Sequence, residues 1–235
     1  MSPSAPHPAR LHAVPGRGRR RPLMKILVTA GPTREAIDAV RFLSNKSTGK
    51  MGYAVAKAAA EAGHDVILVS GPVALTQPDG LLEFVPVVSA ADMAEAVKLR
   101  APDCGMIVMC AAVADYTPAH PVDRKLKKTG GNLTLELKRT EDILKTLGQQ
   151  KKPGQILVGF AAETDDVEAY ARGKLAAKNL DWIAANDVSR PGCGFAADTN
   201  AVTLYAADGR KFELPLQGKD EVARRMLEIL LPSPR

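Results

Sequence analysis

Apolar runs of strand length recur along the chain after residue 23, and they alternate with stretches whose small and apolar residues recur at helical spacing. The runs that predict strands are Met24–Val28, Val66–Ser70, Leu82–Val87, Met106–Val113, Leu133–Leu137, Ile156–Phe160 and Asp181–Asn186. The helical stretches end at Gly63 or cover Ser89–Ala101, Glu141–Gln150, Val167–Asn179 and Lys219–Leu230. This alternation predicts an α/β fold, Rossmann-like and doubly wound, with a mostly parallel sheet.

Local signals mark the ends of several of these elements. Ser89 and Asp92 have the spacing of a capping box at a helix start. Thr140 is the predicted N-cap of the helix that begins at Glu141, and Gly63 is the predicted C-cap of the first helix. These signals give the helices defined ends as well as a period.

Two small β units are predicted outside the main alternation. Val202–Tyr205 and Lys211–Leu214 flank Asp208-Gly209, a pair typical of a type I′ hairpin turn. The basic cluster Arg124–Lys128 lies beside two glycines and the alternating run that starts at Leu133. Such a cluster is usually a solvated hairpin, but after a strand end it could close over a polyphosphate as a lid.

The first strand leads into a long polar turn, residues 31–50, which is rich in Ser, Thr, Asn, Gly, Arg and Lys. A helix start with free backbone N–H groups, hydroxyls and cations is typical of an anion site, most often for a phosphate. The turn is not a Walker A loop, because Ser44 stands at the first glycine position and Met51 follows Gly49-Lys50. The glycine fingerprint of dinucleotide-binding folds is missing too, so we expect phosphate chemistry without NAD.

The amino-acid composition of the N-terminal residues differs from that of the rest of the chain. Residues 1–23 are rich in Pro and Arg and have no acidic residue, so we interpret them as a disordered tail or an upstream mis-start before a single domain over residues 24–235. The five arginines of this tail account for most of the formal net charge of +6, which argues against a nucleic-acid partner. The hydrophobic fraction of 46% suits a substantial core, and no run approaches the length of a membrane span.

The supply of Cys and His limits the possible chemistry. Cys104, Cys110 and Cys193 contain no C-x-x-C pair, a pattern typical of a reduced cytoplasmic protein. Cys110 lies in an apolar run and is expected to be packed rather than reactive. Only His64 and His120 lie outside the tail, so mechanisms built on Lys, Asn, Arg and Asp are favoured.

The ends of the predicted strands carry the other candidates. The apolar run at Met106 ends in small residues and then Asp115, which is either a loop residue or a group that holds a cation or a hydroxyl. Phe160 ends a later strand and is either a core aromatic or a surface for a base. Lys174 and Lys178 are four residues apart, so they are either solvated or a phosphate clamp on one helix face.

Six motifs in register carry a family resemblance. They are AGPTREAIDAVRFLSNKSTGKMG, CAAVADY, RKLKK, GFAAET, KLAAKNLDWIAANDVS and F-x-x-D-x-N, the last at residues 195–200. The chain resembles the phosphopantothenate–cysteine ligases of coenzyme A biosynthesis over residues 24–230. The resemblance implies that 4′-phosphopantothenate and cysteine are joined in two steps. CTP first activates the carboxylate as an acyl-cytidylate with release of pyrophosphate, and the cysteine amine then displaces CMP.

The resemblance also implies roles for individual residues. Asn45 would polarise the acyl carbonyl, Arg41 would act in the second half-reaction, and Lys125 would neutralise charge during activation. Nucleotide contacts are implied for Ser47, Gly49, Met109, Cys110, Ala111, Ala112, Asp115, Lys125, Glu141, Asp142, Ile143, Leu144, Phe160, Lys174 and Lys178. Asp115 would in addition lie near Mg²⁺, and a side chain larger than Ala112 would hinder the intermediate.

The chain departs from the family pattern in two ways. Thr140 to Ile143 stand where the family often has Asn-Pro-Asp-Ile, which puts the nucleotide contacts of Glu141–Leu144 in doubt. The chain is also too short to hold the flavin-dependent decarboxylase that precedes most bacterial members. It is therefore either a separately encoded ligase, with a separate decarboxylase expected in the pathway, or an excised half of a bifunctional protein. The resemblance further implies a homodimer in which the segment 112–128 forms a lid and dimerisation extension.

Two other functions fit parts of the sequence. A nucleotide-binding regulatory module or degenerate paralogue would keep the fold without the chemistry, but Asn45 and Lys125 are both present. An NADP-dependent reductase of the short-chain type lacks support, because the glycine fingerprint is missing and Tyr170 and Lys174 lie in a late helix. Side chains alone do not distinguish CTP from ATP.

Overall fold

The structure, a computed structural model, describes residues 23–127, 130–163, 166–187 and 192–231. Within these ranges the strands are β1 (Lys25–Ala30), β2 (Glu35–Ala36), β3 (Phe42–Leu43), β4 (Asp65–Ser70), β5 (Glu83–Pro86), β6 (Met106–Met109), β7 (Tyr116–Pro118), β8 (Leu137–Arg139), β9 (Ile156–Glu163), β10 (Trp182–Asp187), β11 (Thr199–Ala206) and β12 (Lys211–Gly218). The α-helices are α1 (Lys50–Glu61), α2 (Ala90–Arg100), α3 (Ile143–Gln150), α4 (Val167–Ala177) and α5 (Lys219–Leu230). The predicted tail lies outside the described residues except for Leu23, and none of the described helices has the length and apolar character needed to cross a membrane.

Eight of these strands form one sheet in the order β12-β11-β10-β9-β6-β1-β4-β5. All neighbours from β10 to β5 pair in parallel, and β11 and β12 add an antiparallel edge. β1 pairs with β4 on one side and with β6 on the other, so the strand order reverses at β1. This confirms the predicted doubly wound fold, and it places a crevice beyond the carboxyl ends of β1 and β6.

The two faces of the sheet carry separate hydrophobic cores. Ile26 and Val28 of β1 face the core that α1 and α5 cover. Leu27 faces the opposite core, which α2, α3 and α4 cover. Both faces are apolar because a parallel sheet with helices on each side is buried on each side.

Helix α1 lies unusually close to β1 at Gly52. A Cβ atom added at Gly52 would lie 2.6 Å from the Cβ of Ala30 and 2.9 Å from the carbonyl oxygen of Thr29. The absence of a side chain therefore lets the first turn of α1 rest directly on the end of β1.

We expect Gly52→Ala to lower the free energy of unfolding by about 1–2 kcal/mol, because the overpacking exceeds the gain in helix propensity. Gly173→Ala in α4 is the matched control, since a Cβ there would meet nothing within 4 Å. It should gain about 1 kcal/mol from propensity alone. Urea unfolding of both variants checks this, and a stabilised Gly52→Ala would contradict it.

The structure corrects several predicted element ends. The strand at Met106 ends at Met109 instead of Val113, and only an isolated bridge from Ala112 to Pro32 follows. The predicted strand Leu133–Leu137 is wrong. Leu133 is exposed, and the strand β8 begins only at Leu137, because this edge has no core against which an alternating face could pack.

Two caps and one turn also differ from prediction. Asp142, and not Thr140, caps α3 by accepting a hydrogen bond from the N–H of Lys145, and the hydroxyl of Thr140 donates to the carbonyl of Ala114. Gly63, with a φ of 88°, follows the C-cap Ala62 by one position. The capping box of Ser89 is confirmed.

The hairpin between β11 and β12 is confirmed, but its turn is not of type I′. Gly209 has a φ of 93°, whereas Asp208 is not among the residues with positive φ. The N–H of Gly209 donates to the carbonyl of Ala206, and the N–H of Ala206 donates to the carbonyl of Arg210. This is a three-residue loop, a type I turn followed by a left-handed glycine.

Candidate active site

A cavity of about 220 Å³ opens beyond the carboxyl ends of β1, β6, β9 and β10. Its wall combines the polar turn, the start of α1, three strand ends and the segment before β11. The residues predicted to bind nucleotide that line it are Ser47, Gly49, Cys110, Ala111, Ala112 and Phe160. The structure thus brings together residues up to 113 positions apart in the sequence, and their binding roles stay predictions.

The start of α1 forms one wall of this cavity. Gly49, with a φ of 79°, is the N-cap, and no side-chain cap is found for this turn among the described residues. Lys50, Met51 and Gly52 follow it along the cavity wall. Because the first N–H groups of a helix have no partner within the helix, this wall offers donors to an anion.

Asn45 connects the polar turn to the end of β6. Its Nδ2 donates to the carbonyl of Ala112 at 2.7 Å, and its Oδ1 accepts from the N–H of Ser47 at 2.9 Å. Both ends of the amide are therefore fixed, and Asn45, which does not itself line the cavity, is held against Ala112, which does.

Two buried threonines that the sequence interpretation missed hold the strand ends together. The hydroxyl of Thr29 accepts from the N–H of Ala111 at 3.1 Å, and that of Thr33 accepts from the N–H of Ala114 at 3.0 Å. Both residues are 0% exposed. A buried hydroxyl needs a hydrogen-bond partner. Here the two threonine hydroxyls bond to backbone N–H groups beyond the end of β6, where strand pairing has stopped.

Residues 192–198, which we name the wall loop, cover the cavity from the side of β11. The hydroxyl of Thr48 donates to the carbonyl of Phe195 at 2.8 Å, and Nζ of Lys50 donates to Ala196 at 3.1 Å and to Asp198 at 2.6 Å. The polar turn therefore reaches across to the wall loop and closes this side.

Lys219 holds the wall loop from below. Its Nζ donates to the carbonyls of Gly194, Phe195 and Ala197 at 3.5, 3.2 and 2.5 Å. The residue is 7% exposed and lines the cavity, and its burial, together with the charge of Lys50, lowers the pKa of its ammonium group. Sequence interpretation placed Lys219 only as the start of a helix, because one lysine at a helix start carries no local signal of burial.

The Cys110 thiol faces the same cavity and is not poised to react. Burial raises the pKa of this thiol to about 12, so it stays protonated near neutral pH. The raised pKa agrees with the expectation that Cys110 is not reactive, but the residue is only half-buried and lies outside both cores, so the expectation of a packed side chain is corrected.

The residues predicted from α3 and α4 lie outside the lining of this cavity. Nζ of Lys98 donates to Glu141 at 2.7 Å, and Nζ of Lys178 lies 2.9 Å from Asp142. Lys178 is the C-cap of α4, and its N–H still donates to the carbonyl of Lys174 at 3.0 Å, one helical turn away. In this structure the Lys178 ammonium pairs with Asp142, and its role toward a phosphate stays a prediction.

Three more predicted residues are placed by their burial and contacts. Ile143 is buried in the second core and Leu144 packs against it, so their side chains are committed to packing. Met109 ends β6 with its sulfur 3.8 Å from the hydroxyl of Thr29. For these residues only the backbone remains for a ligand.

Asp115, Lys125 and Arg41 do not line the cavity. Asp115 and Lys125 are exposed, and Lys125 lies in residues 122–127, which we name the strap. Arg41 pairs with Asp38. Among the residues that the structure describes, no group of three or more His, Cys, Asp and Glu side chains could hold a metal ion.

Comparison with known proteins agrees with this geometry. The profile of the DFP family, the DNA/pantothenate metabolism flavoprotein C-terminal domain, matches residues 23–232. The coenzyme A biosynthesis bifunctional protein CoaBC of Bacillus subtilis is 61% identical over 203 residues, which are 86% of this chain and 50% of that protein. The protein of the same name from Vibrio parahaemolyticus is 50% identical over 205 residues, 86% of this chain and 51% of that protein.

A solved structure gives the same result for the fold. The crystal structure of the C-terminal domain of coenzyme A biosynthesis bifunctional protein CoaBC is 47% identical, with a TM-score of 0.76, and the match covers 90% of this chain and 96% of that one. The chain spans about half the length of the curated relatives that it matches.

Proposed function

We infer the activity of this chain from the family to which it belongs, that of the DNA/pantothenate metabolism flavoprotein C-terminal domain. We propose that it is a phosphopantothenate–cysteine ligase that acts in coenzyme A biosynthesis and uses CTP. The observation that carries the proposal is one cavity in which the uncapped start of α1 and the small strand end Cys110–Ala112 meet, with the amide of Asn45 bonded to the carbonyl of Ala112.

In the first step, a carboxylate oxygen of 4′-phosphopantothenate attacks the α-phosphorus of CTP. The bond from that phosphorus to the bridging oxygen breaks, and pyrophosphate leaves. The chain's part is to bind and orient, which is the main means of catalysis in phosphoryl transfer. The N–H groups at the start of α1 would bind phosphate oxygens, and Ala111 and Ala112 leave room for the mixed anhydride.

In the second step, the cysteine amine attacks the acyl carbon, the bond to the phosphate oxygen breaks, CMP leaves and the amine loses a proton. Negative charge develops on the carbonyl oxygen during this attack. We propose that the amide of Asn45, oriented by its bond to the carbonyl of Ala112, stabilises that charge, as the resemblance implies.

Mg²⁺ is proposed to accompany the triphosphate. Mg²⁺ in nucleotide sites commonly takes one or two protein carboxylates and completes its shell with phosphate and water oxygens. Asp115, an exposed carboxylate on the segment between β6 and β7, is the ligand that we propose, and it lies outside the lining of the cavity. Bound to the nucleotide, the ion would offset part of the triphosphate charge.

Pyrophosphate release tests the proposal. The protein is incubated with 4′-phosphopantothenate and Mg²⁺, with CTP or ATP, and with or without cysteine. Release with CTP that rises when cysteine is added supports a ligase with an acyl-cytidylate intermediate. A folded protein that binds a nucleotide but releases no pyrophosphate would instead be a regulatory module.

Lys219→Met is expected to weaken CTP binding, because it removes the ammonium that holds the wall loop. We expect KM for CTP to rise about tenfold, since several buried carbonyls lose a charged donor. Lys57→Met is the matched control, because Nζ of Lys57 makes a partly exposed ion pair with Asp220, which contributes little. Steady-state kinetics of both variants test this prediction. An unchanged KM for CTP in Lys219→Met would contradict the role of the wall loop in CTP binding.

A homodimer is also proposed. Several large apolar side chains on and beside the two small hairpins are exposed, and they support an interface there: Val40, Phe42, Tyr116 and Leu137. Light scattering on the purified chain tests it, since a monomer at micromolar concentration would refute it.

The expected cytoplasmic location remains a proposal, and the expected separate decarboxylase loses support. The predicted cytoplasmic location rests on the three cysteines, none of which pairs in a disulfide. The separate decarboxylase expected from the chain length finds no support in the relatives, which are named bifunctional proteins.

A further inference from the structure

A buried carboxylate connects the polar turn to the strap. The side chain of Asp38 is 0% exposed, and both of its oxygens accept hydrogen bonds. Oδ1 accepts from the N–H groups of Val40 and Arg41, each at 2.9 Å. Oδ2 accepts from Nε of Arg41 at 2.9 Å, from Nη2 of Arg41, and from the N–H of Leu126 at 3.1 Å.

The guanidinium of Arg41 completes the connection. Its Nη2 also donates to the carbonyl of Leu126 at 3.3 Å, and the N–H of Val122 donates to the carbonyl of Ile37 at 3.3 Å. One ion pair therefore holds both polar groups of Leu126, a residue 88 positions from Asp38. We name Asp38, Arg41 and the backbone of Leu126 the latch.

We propose that Asp38 is a positioning residue that acts through the latch to fix the strap, and with it Lys125, relative to the cavity. Lys125 precedes Leu126 directly, and its own side chain is exposed. Because Leu126 is fixed, the backbone of Lys125 is also held in place, and its exposed side chain extends from a defined position. The consequence for catalysis rests on the proposed function, whereas the mechanical role of the latch does not.

The charge of Asp38 suits this role. The Arg41 guanidinium beside it holds the pKa of the carboxyl far below its ordinary value, against the effect of its burial. The stability that the ionised carboxylate contributes is therefore present above the ordinary pKa and is lost only when the pH falls through the lowered value of the folded state. The latch stays engaged across the neutral range.

Asp38→Asn separates the two halves of the latch. The Oδ1 of asparagine can still accept from Val40 and Arg41 within the turn. Its Nδ2 takes the place of the oxygen that accepts from Arg41 and Leu126. An amide nitrogen cannot accept hydrogen bonds, so the guanidinium of Arg41 and the N–H of Leu126 both lose their acceptor. The substitution should release the strap and leave the turn intact.

Limited trypsinolysis measures that release, because trypsin cleaves after Lys and Arg and the strap contains Arg124, Lys125 and Lys127. We expect Asp38→Asn to raise the initial rate of cleavage in the strap by about tenfold or more, since hydrogen bonds to a charged acceptor are lost. Asp208→Asn is the matched control. Asp208 likewise accepts a backbone N–H and the Nε of an arginine two positions on, but in the remote hairpin. We expect trypsin to cleave the strap of the Asp208→Asn variant at the wild-type rate.

Arg41→Gln provides a second route to the same state, since it removes the cation and keeps the carboxylate. Faster cleavage confined to the strap in either folded variant supports the latch. A strap cut at the wild-type rate in folded Asp38→Asn overturns it. Cleavage that rises equally at all sites in both variants also overturns it, because the pair would then support global stability only.

A kinetic measurement separates the latch from the proposed function. We expect Asp38→Asn to lower kcat for pyrophosphate formation by about tenfold with KM for CTP within about twofold of the wild type, since Asp38 does not line the cavity. Unchanged kcat beside a released strap overturns the catalytic part of the proposal. If wild type releases no pyrophosphate, the proposed function fails while the trypsin result still decides the latch.

Discussion

Lys125→Gln is expected to lower kcat for pyrophosphate formation by about 10²-fold or more, with the fold and its stability unchanged. A cation aimed at charge that develops in the transition state contributes on this scale. Lys125 is exposed and makes no ion pair with any of the residues that the structure describes, so its replacement leaves the described contacts of the strap in place.

Lys127→Gln is the control for this result. It removes the same charge from the same strap two positions later, so it tests whether a cation at any point of the strap is enough. We expect wild-type kcat in Lys127→Gln. A thermal unfolding curve must accompany both variants, because a large fall in Tm for Lys125→Gln would make that lysine structural.

Asn45→Ala is expected to keep pyrophosphate formation and to lower the coupling to cysteine by about 10²- to 10³-fold, as for a lost oxyanion donor. The amide is fixed at both ends, by the carbonyl of Ala112 and the N–H of Ser47. Such an orientation suits a donor that stabilises one developing charge. The measurement follows pyrophosphate and CMP release separately in single-turnover reactions.

Ser44→Ala is the matched control for Asn45→Ala. Ser44 precedes Asn45 in the same turn, and its hydroxyl donates to the carbonyl of Thr33 at 2.8 Å instead of to Ala112. Both half-reactions should continue in Ser44→Ala. If Asn45→Ala reduces both half-reactions equally, Asn45 acts before the acyl-cytidylate forms.

Three sets of buried polar contacts hold the segments that surround the cavity. Lys219 holds the wall loop, Asp38 holds the strap, and Thr29 and Thr33 hold the strand ends. Each of these four side chains is buried, and each forms hydrogen bonds with the segment that it holds. Buried polar groups need such partners, and here the partners come from the segments that surround the cavity.

The sequence by itself determined the parallel sheet and its helices. Burial on both faces requires continuous apolar runs, and these appear at Val66–Ser70 and Ile156–Phe160 as predicted. Local signals also sufficed for the capping box of Ser89 and for the last helix, Lys219–Leu230. Of the residues implied to contact the nucleotide, Ser47, Gly49, Cys110, Ala111, Ala112 and Phe160 line the crevice, and their binding roles stay predictions.

Only the tertiary structure decided how the long-range polar contacts are made. Asp38 meets Leu126, and Lys219 meets the wall loop, because packing of the sheet brings separate segments together. Periodicity and propensity act over a few residues and carry no information on such partners. The same limit explains Leu133–Leu137, where an alternating pattern predicted a strand and no core was present to bury one face.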